Sequence, residues 1–349
     1  MTPSPEVVAI LPSRDEADTI AAVTRAVDAA LDDDRALIVH ADSSSTPATA
    51  VAFRATVTRA RTVCLTGLPT GKGARILRAL DHHGQECTVL LADTDTRNPD
   101  PATYRALLNT VVQGAVMALA DYPRYWDEAN LTNHLARGLI ALATGHDVPQ
   151  PLAGDLALSA ATIRAVPERY HALPGQLARC VEGYGIDAFL LQAAAHAGEP
   201  IVPVRLARTK QHAPSFSHLP VIFAQAVPVL LHPAVSGLAR APEVGAFRLT
   251  DRTVPARQRR QMLAQLRALR PAEGRYDGVA WPHALAAAWW AVAGGVAAVT
   301  AAQWLWPAYL DHVSTWLADT SPMAARARTL RAAATELLVT LTTTPRDSS

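Results

Sequence analysis

Short apolar runs alternate with helical spacing through the first two hundred residues. Residues 7–11 (VVAIL) are continuously apolar, as a central strand covered on both faces must be. Residues 19–31 then set Ile20, Val23, Val27 and Leu31 on one helical face. Residues 36–40 and 62–65 read as further strands, and Ile76, Leu77 and Leu80 mark a helix after Gly73. Four more apolar runs follow, at 88–92, 115–119, 156–159 and 201–206. Strands alternating with helices predict an α/β fold, a mostly parallel sheet with crossover helices. Near Phe216 the alternation stops. Beyond it the spacing predicts helices at 219–231 and 256–269, a tryptophan-rich stretch, and a last helix opening at Ser321-Pro322, a cap followed by proline. Residues 236–255 read as an irregular connector, and the tail after Thr342 as frayed. The expected division is residues 1–215, an α/β domain, and 216–349, a helical one.

Ligands of parallel sheets collect past the carboxyl ends of the strands, and the loops leaving that edge are the polar ones. Asp93 and Asp95, a D-x-D pair at the end of 88–92, suit a hard divalent cation, which takes oxygen ligands and keeps coordination free for water or phosphate. The competing reading is a polar loop with two solvated aspartates. Asp42 suits a ribose or base, and equally a helix cap within DSSST. Lys72 between Gly71 and Gly73 suits a diphosphate that the backbone approaches closely, although the G-x-x-x-x-G-K-S/T pattern is absent. A helix is predicted from about Asp127, with Glu128 and Thr132 one turn apart. Arg124, just before it, has the fork for a carboxylate or phosphate, or is an ordinary surface arginine. Asp187 opens a helix, either as a dipole-favoured residue or beside a sugar hydroxyl. His212 is the natural third metal ligand if its coil folds back over Asp95.

Composition narrows the classes. The 349 residues are 50% hydrophobic and 18% charged, which a folded chain with more than one core fits. Thirty-two basic residues against 31 acidic ones give no support for nucleic acid or an anionic membrane as partner. Three scattered cysteines (Cys64, Cys87, Cys180) and a first segment without a basic-then-apolar pattern lead to the expectation of a cytoplasmic protein. Residues 284–310 carry no charge, but eleven alanines, a glycine pair and Pro307 favour a buried bundle or dimer helix over a membrane span.

Taken in order, LPSRDEADTI, ADSSST, TGKG, ADTD, QPLAGD, GYGID and KQH resemble the GT-A glycosyltransferases of the glucosyl-3-phosphoglycerate synthase and mannosylglycerate synthase group. Around Arg124, the Y-P-R followed by an acidic residue and a threonine is most similar to the mannosylglycerate branch. The resemblance implies a GT-A fold with a helical C-terminal region, and a homodimer. It implies transfer of a hexose, with retention, from a GDP- or UDP-sugar to a small hydroxy acid such as glycerate, dependent on Mg²⁺ or Mn²⁺. Asp95 and His212 would hold the metal, supported by Asp93. Pro12, Ser13, Arg14, Glu16, Asp42, Gly71, Lys72 and Thr94 would hold the donor, with Leu152, Gly154 and Asp155 at its sugar. Arg124, Glu128 and Thr132 would hold the acceptor. Catalysis would rest on Asp95, Lys72, Asp187 and Leu152. Two departures stand out: Arg14 itself, and Ala213-Pro214 where the family has a basic residue after the histidine. The second speaks against a phosphorylated acceptor.

Chemistry alone leaves Asp187 as the base of an inverting displacement. A polyprenyl-phosphate sugar transferase, with 284–310 as its anchor, is the alternative enzyme, as is a transferase of a secondary-metabolite pathway. A sugar-nucleotide pyrophosphorylase lacks support because LPSRDE replaces its Gly-rich loop. A non-catalytic sugar-nucleotide sensor could drop metal ligands that this chain keeps.

Overall fold

The computed structural model describes residues 5–84, 86–128, 130–198, 200–212, 216–233 and 242–343. Its strands in chain order are β1 (Val7–Ser13), β2 (Leu37–Asp42), β3 (Arg61–Leu65), β4 (Thr88–Leu91), β5 (Met117–Asp121), β6 (Arg124–Tyr125), β7 (Leu156–Leu158), β8 (Ile201–Arg205) and β9 (Leu249–Thr250). The helices begin with α1 (Ile20–Leu31), α2 (Ala48–Arg54), α3 (Lys72–His83), α4 (Pro101–Val112) and α5 (Arg137–Thr144). They continue with α6 (Ala160–His171), α7 (Gly175–Glu182), α8 (Ile186–Ala197), α9 (Leu219–Leu231) and α10 (Ala256–Leu269). The last are α11 (Trp281–Ala293), α12 (Ala298–Ala318) and α13 (Met323–Thr343).

Two compact units emerge. One comprises residues 1–122 and 152–217, the other 123–151 and 218–349. The chain thus leaves the first unit twice, whereas a single boundary after residue 215 was expected. Residues 123–151, which carry Arg124, Glu128 and Thr132, group with the helical unit.

The first unit holds a seven-stranded sheet in the order β3-β2-β1-β4-β7-β5-β8. All pairings are parallel except those of β7, which runs against both β4 and β5. Side chains alternate across a strand, so one face collects Ala9, Leu11, Ile38, Leu90, Ala92 and Ala118. These pack on Ile20, Val23 and Val27 of α1 and on Tyr104, Leu107 and Val111 of α4. The continuous runs in β1, β2, β4 and β5 are buried on both faces. That is why they carry no polar alternation.

In the helical unit β6 pairs with β9 in parallel, so the expected irregular connector contains a short strand; residues 234–241 lie outside the described residues. The helix expected from about Asp127 is realised later, as a π-helical turn (Thr132–Ala136) running into α5. The tryptophan-rich stretch is two helices, not one. They part at Gly294-Gly295, where Gly295 takes φ +96°, a conformation open chiefly to glycine. Trp281 donates to the His134 carbonyl at 2.8 Å, and Trp316 to the Trp126 carbonyl at 2.9 Å. Among the described residues no helix is long and apolar enough to cross a membrane.

Candidate functional site

The polar loops of the first unit meet at one edge of the sheet. Asp93 follows β4, and each of its oxygens takes an ammonium group: Lys72 Nζ lies 3.0 Å from Oδ1, Lys210 Nζ 2.8 Å from Oδ2. Lys210 also reaches Asp155 Oδ2 at 2.8 Å, and Lys72 reaches Asp187 Oδ1 at 3.0 Å. Asp155 is fully buried; its Oδ1 accepts the Asp93 backbone N–H at 2.9 Å and its Oδ2 the Tyr122 hydroxyl at 2.8 Å. Two lysines and three carboxylates therefore form one closed network. These are the only lysines in a chain with 30 arginines. An ammonium is a compact charge with three donors that can serve three directions, whereas a guanidinium fork favours one planar partner.

The network sets its own protonation. Burial works against the charge on Asp93, but Lys210 and Lys72 outweigh it and hold the carboxyl far below the usual range. Burial likewise disfavours both ammonium groups. Asp187 and Asp93 nevertheless raise Lys72, as Asp155 and Asp93 raise Lys210. Asp187 differs: burial pushes it up to about 6, with Lys72 only partly opposing.

Asp95 points elsewhere. It lines a cleft of about 400 Å³ with Asp15, Glu16, Asp18, Thr19, Thr96 and Arg97. Burial and then the Asp93 carboxylate raise its pKa, while Lys210 and His212 act the other way, which places His212 within its electrostatic reach. The coil carrying His212 does fold back over this loop. Asn98 donates to the Thr209 carbonyl at 3.0 Å and accepts from the Gln211 N–H at 2.7 Å, and Arg97 N–H donates to the Gln211 carbonyl at 2.8 Å. Thr94, between the two aspartates, is buried with its hydroxyl on the Pro12 carbonyl at 3.0 Å, so it anchors the loop to β1.

No group of three or more His, Cys, Asp or Glu side chains is arranged around a common metal position among the described residues. Asp95 and His212 nonetheless fit a hard divalent cation whose remaining coordination comes from diphosphate and water. A buried carboxylate with an elevated pKa, beside a second carboxylate, is short of positive charge. Asp93 is placed otherwise than expected, since both its oxygens are occupied by lysines.

The glycines have packing reasons. A Cβ on Gly154 would fall 2.2 Å from both Asp93 oxygens, so glycine there makes room for the carboxylate. In TGKG, a Cβ on Gly73 would sit 1.8 Å from the Val181 carbonyl oxygen. One on Gly71 (φ +131°) would sit 2.3 Å from that of Glu182. The pair lets α3 dock onto the end of α7, with the Gly73 N–H on the Gly183 carbonyl at 3.1 Å.

On the other side of β1 a second polar chain forms. Ser13 and His40 are buried, with Ser13 Oγ 2.5 Å from His40 Nε2 and His40 Nδ1 3.2 Å from Cys64 Sγ. Ser13 donates to Asp42 Oδ1 at 3.3 Å, so His40 must donate through Nε2 and accept from the thiol at Nδ1. Burial pushes His40 down to about 4 and raises Cys64, which keeps both neutral. Asp42 Oδ1 also accepts the Ser44 N–H at 2.9 Å. Arg14 is half-exposed, 3.7 Å from Asp15, and Glu16 is raised by burial and then by Asp95. Leu152 is half-buried.

Within the helical unit, Arg124 Nε donates to Gln150 Oε1 at 2.9 Å. Glu128 is bound by Arg252 at 2.9 Å, which also takes Asp127 with two parallel bonds of 2.9 and 2.7 Å. Thr132 opens the π-helical turn, a feature found often at functional sites. Sequence reasoning missed Lys210, Arg252 and Arg75. The rarity of lysine was the available signal for Lys210; Arg252 and Arg75 had none.

No family model and no curated protein matches this sequence. Solved structures do. Glucosyl-3-phosphoglycerate synthase from Mycobacterium tuberculosis, in complex with Mn²⁺, UDP and phosphoglyceric acid, aligns over 66% of this chain and 78% of that one, with 23% identity and a TM-score of 0.51. A mycobacterial protein aligns over 66% and 74%, with 23% identity and a TM-score of 0.52. This is a GT-A fold. In the GT-A sheet of this chain the antiparallel strand is β7, so Asp155 reaches the ligand edge by preceding its strand where the other acids follow theirs.

Proposed function

We propose that this chain is a metal-dependent glycosyltransferase that moves a hexose, with retention, from a nucleoside-diphosphate sugar to a small hydroxy acid. The observation that carries the reading is the Lys72–Asp93–Lys210–Asp155–Asp187 network, with Asp95 and His212 beside it at the ligand edge. The M. tuberculosis synthase, of like fold, has been captured with Mn²⁺, UDP-glucose and phosphoglyceric acid, which supports donor, metal and acceptor of these classes.

Asp95 and His212 would hold Mg²⁺ or Mn²⁺, which would neutralise charge on the departing diphosphate. Lys72 spends two donors on Asp93 and Asp187 and has a third to offer a phosphate oxygen. Asp93 and Asp155 keep both ammonium groups charged and fixed in place before reaction, which is electrostatic preorganisation. Asp187, partly protonated near its pKa of about 6, is placed to exchange a hydrogen bond with a donor-sugar hydroxyl. In a retaining reaction the leaving diphosphate oxygen accepts the acceptor proton, so Asp187 positions the sugar and Lys72.

The deciding experiment incubates the full chain with Mn²⁺ and a panel of UDP- and GDP-hexoses, with glycerate and related hydroxy acids as acceptors. Metal-dependent release of nucleoside diphosphate, accompanied by a glycosylated acid of unchanged anomeric configuration by NMR, is the expected result. Release that ignores chelator, or none with any donor, removes the assignment. Arg124 is the proposed holder of the acceptor carboxylate. Arg124→Ala is expected to raise acceptor KM by roughly tenfold or more, the worth of a charge-assisted hydrogen bond, and to leave donor KM nearly unchanged. Equal increases in both would show that Arg124 does not serve the acceptor.

A further inference from the structure

Arg75 sits in the first turn of α3, 7% exposed, and forms no ion pair among the described residues. Its Nη1 donates to Ser43 Oγ at 2.6 Å, while Nε is buried without a hydrogen-bond partner among the described residues. A buried guanidinium left with open donors is costly to fold. A ligand that accepts from the Nε–Nη2 side of the fork would offset that cost.

Its surroundings say which part of a ligand that is. Burial lowers the Arg75 pKa, and the side chains acting on it most strongly are Tyr184, Arg14, Asp42 and Glu16, none of them members of the lysine network. The diphosphate end of the site is served by Lys72 and Lys210. Arg75 belongs to the end around Asp42 and Ser43. There Asp42 is fixed: Oδ1 takes Ser13 and Ser44, Ser13 is held by His40, and His40 by Cys64. Among the described residues every side-chain bond to Asp42 is made at Oδ1, which leaves Oδ2 as an acceptor for a ligand.

Resting on the nucleotide-sugar reading above, we propose that Arg75 is a specificity-determining residue that reads the nucleobase, donating to the carbonyl of a lactam edge while Asp42 accepts the adjacent ring N–H. Uracil and guanine share that edge. Cytosine and adenine set a ring lone pair where the lactam has its N–H, against the Asp42 carboxylate. Guanine offers the fork two acceptors, O6 and N7, and uracil one.

The test measures dissociation constants of UDP, GDP, CDP and ADP with Mn²⁺ by calorimetry on the full chain. UDP or GDP is expected to bind at least about tenfold tighter than CDP and ADP, the lower end of the discrimination an arginine fork provides, and Arg75→Met is expected to shrink that ratio to about threefold or less. Arg75→Lys keeps the charge without the fork; it should melt like the parent and lose most of the ratio, and it carries the test if the methionine variant does not fold. An unchanged ratio in both variants overturns the assignment, as does a parent that binds CDP or ADP equally well. Weakening of all four nucleotides by one factor overturns it too, since that is the signature of a phosphate contact. If none of the four binds, the transferase reading itself falls, which no Arg75 result can mimic.

Discussion

Asp95→Ala is expected to lower hexosyl transfer by at least about a hundredfold, the scale on which losing one charge-stabilising group acts, and to leave the protein no less stable. The second half follows from the sign of the pKa shift. Burial and the Asp93 carboxylate raise the Asp95 carboxyl in the folded state. A group shifted upward favours folding below its unfolded pKa, and that contribution is lost as pH rises through the folded value. Near neutrality the ionised side chain is therefore a burden on the fold that the variant sheds. His212→Ala should reproduce the kinetic defect, because on the proposed reading the two side chains would hold one cation. Transfer rates with and without Mn²⁺, beside thermal melts, read both halves. A fully active Asp95→Ala enzyme, or an active His212→Ala enzyme indifferent to chelator, would end the metal assignment.

Lys210→Met is expected to behave in the opposite way, losing about 3–5 kcal/mol of stability, the usual cost of removing one partner from a buried ion pair. Lys210 is 5% exposed and joins Asp93 to the fully buried Asp155. Without it Asp155 keeps, among the described residues, the Tyr122 hydroxyl and the Asp93 N–H. The folded pKa of Lys210 is raised, so its contribution is complete at neutral pH and fades only in strong alkali. Asp93 is depressed, so its share is complete at neutral pH and lost in acid. Denaturant unfolding near neutrality should show the full deficit. A variant as stable as the parent would mean that the network does not hold the edge of the sheet together.

Much of the fold was legible because the central strands are apolar on both faces. Residues such as Val8, Ile10, Val39 and Leu90 leave no polar alternation to confuse strand with loop. The D-x-D loop, the lysine of TGKG and the returning coil with His212 were likewise visible as polar residues placed just after those runs. The roles inside the site were less legible. Asp93 reads as a ligand from its spacing, but its partners come from 21 residues before and 117 after, and no local pattern reports such pairings. Gly71 and Gly73 read as phosphate-approaching glycines, while the contact that needs them is with Val181 and Glu182. Asp155 reads as a residue near the donor sugar, and its pairing with Lys210, 55 residues later, has no local signature either. Glu128 was assigned to the acceptor without knowledge of Arg252, more than a hundred residues away.

The scarcity of lysine has a practical side. Reagents that acylate primary side-chain amines find two targets in 349 residues, and both lie within the same knot of carboxylates. Protonation and burial shield them together, so the rate at which such a reagent tags either residue is a direct clock for the loosening of that knot, with no background from the remainder of the side chains.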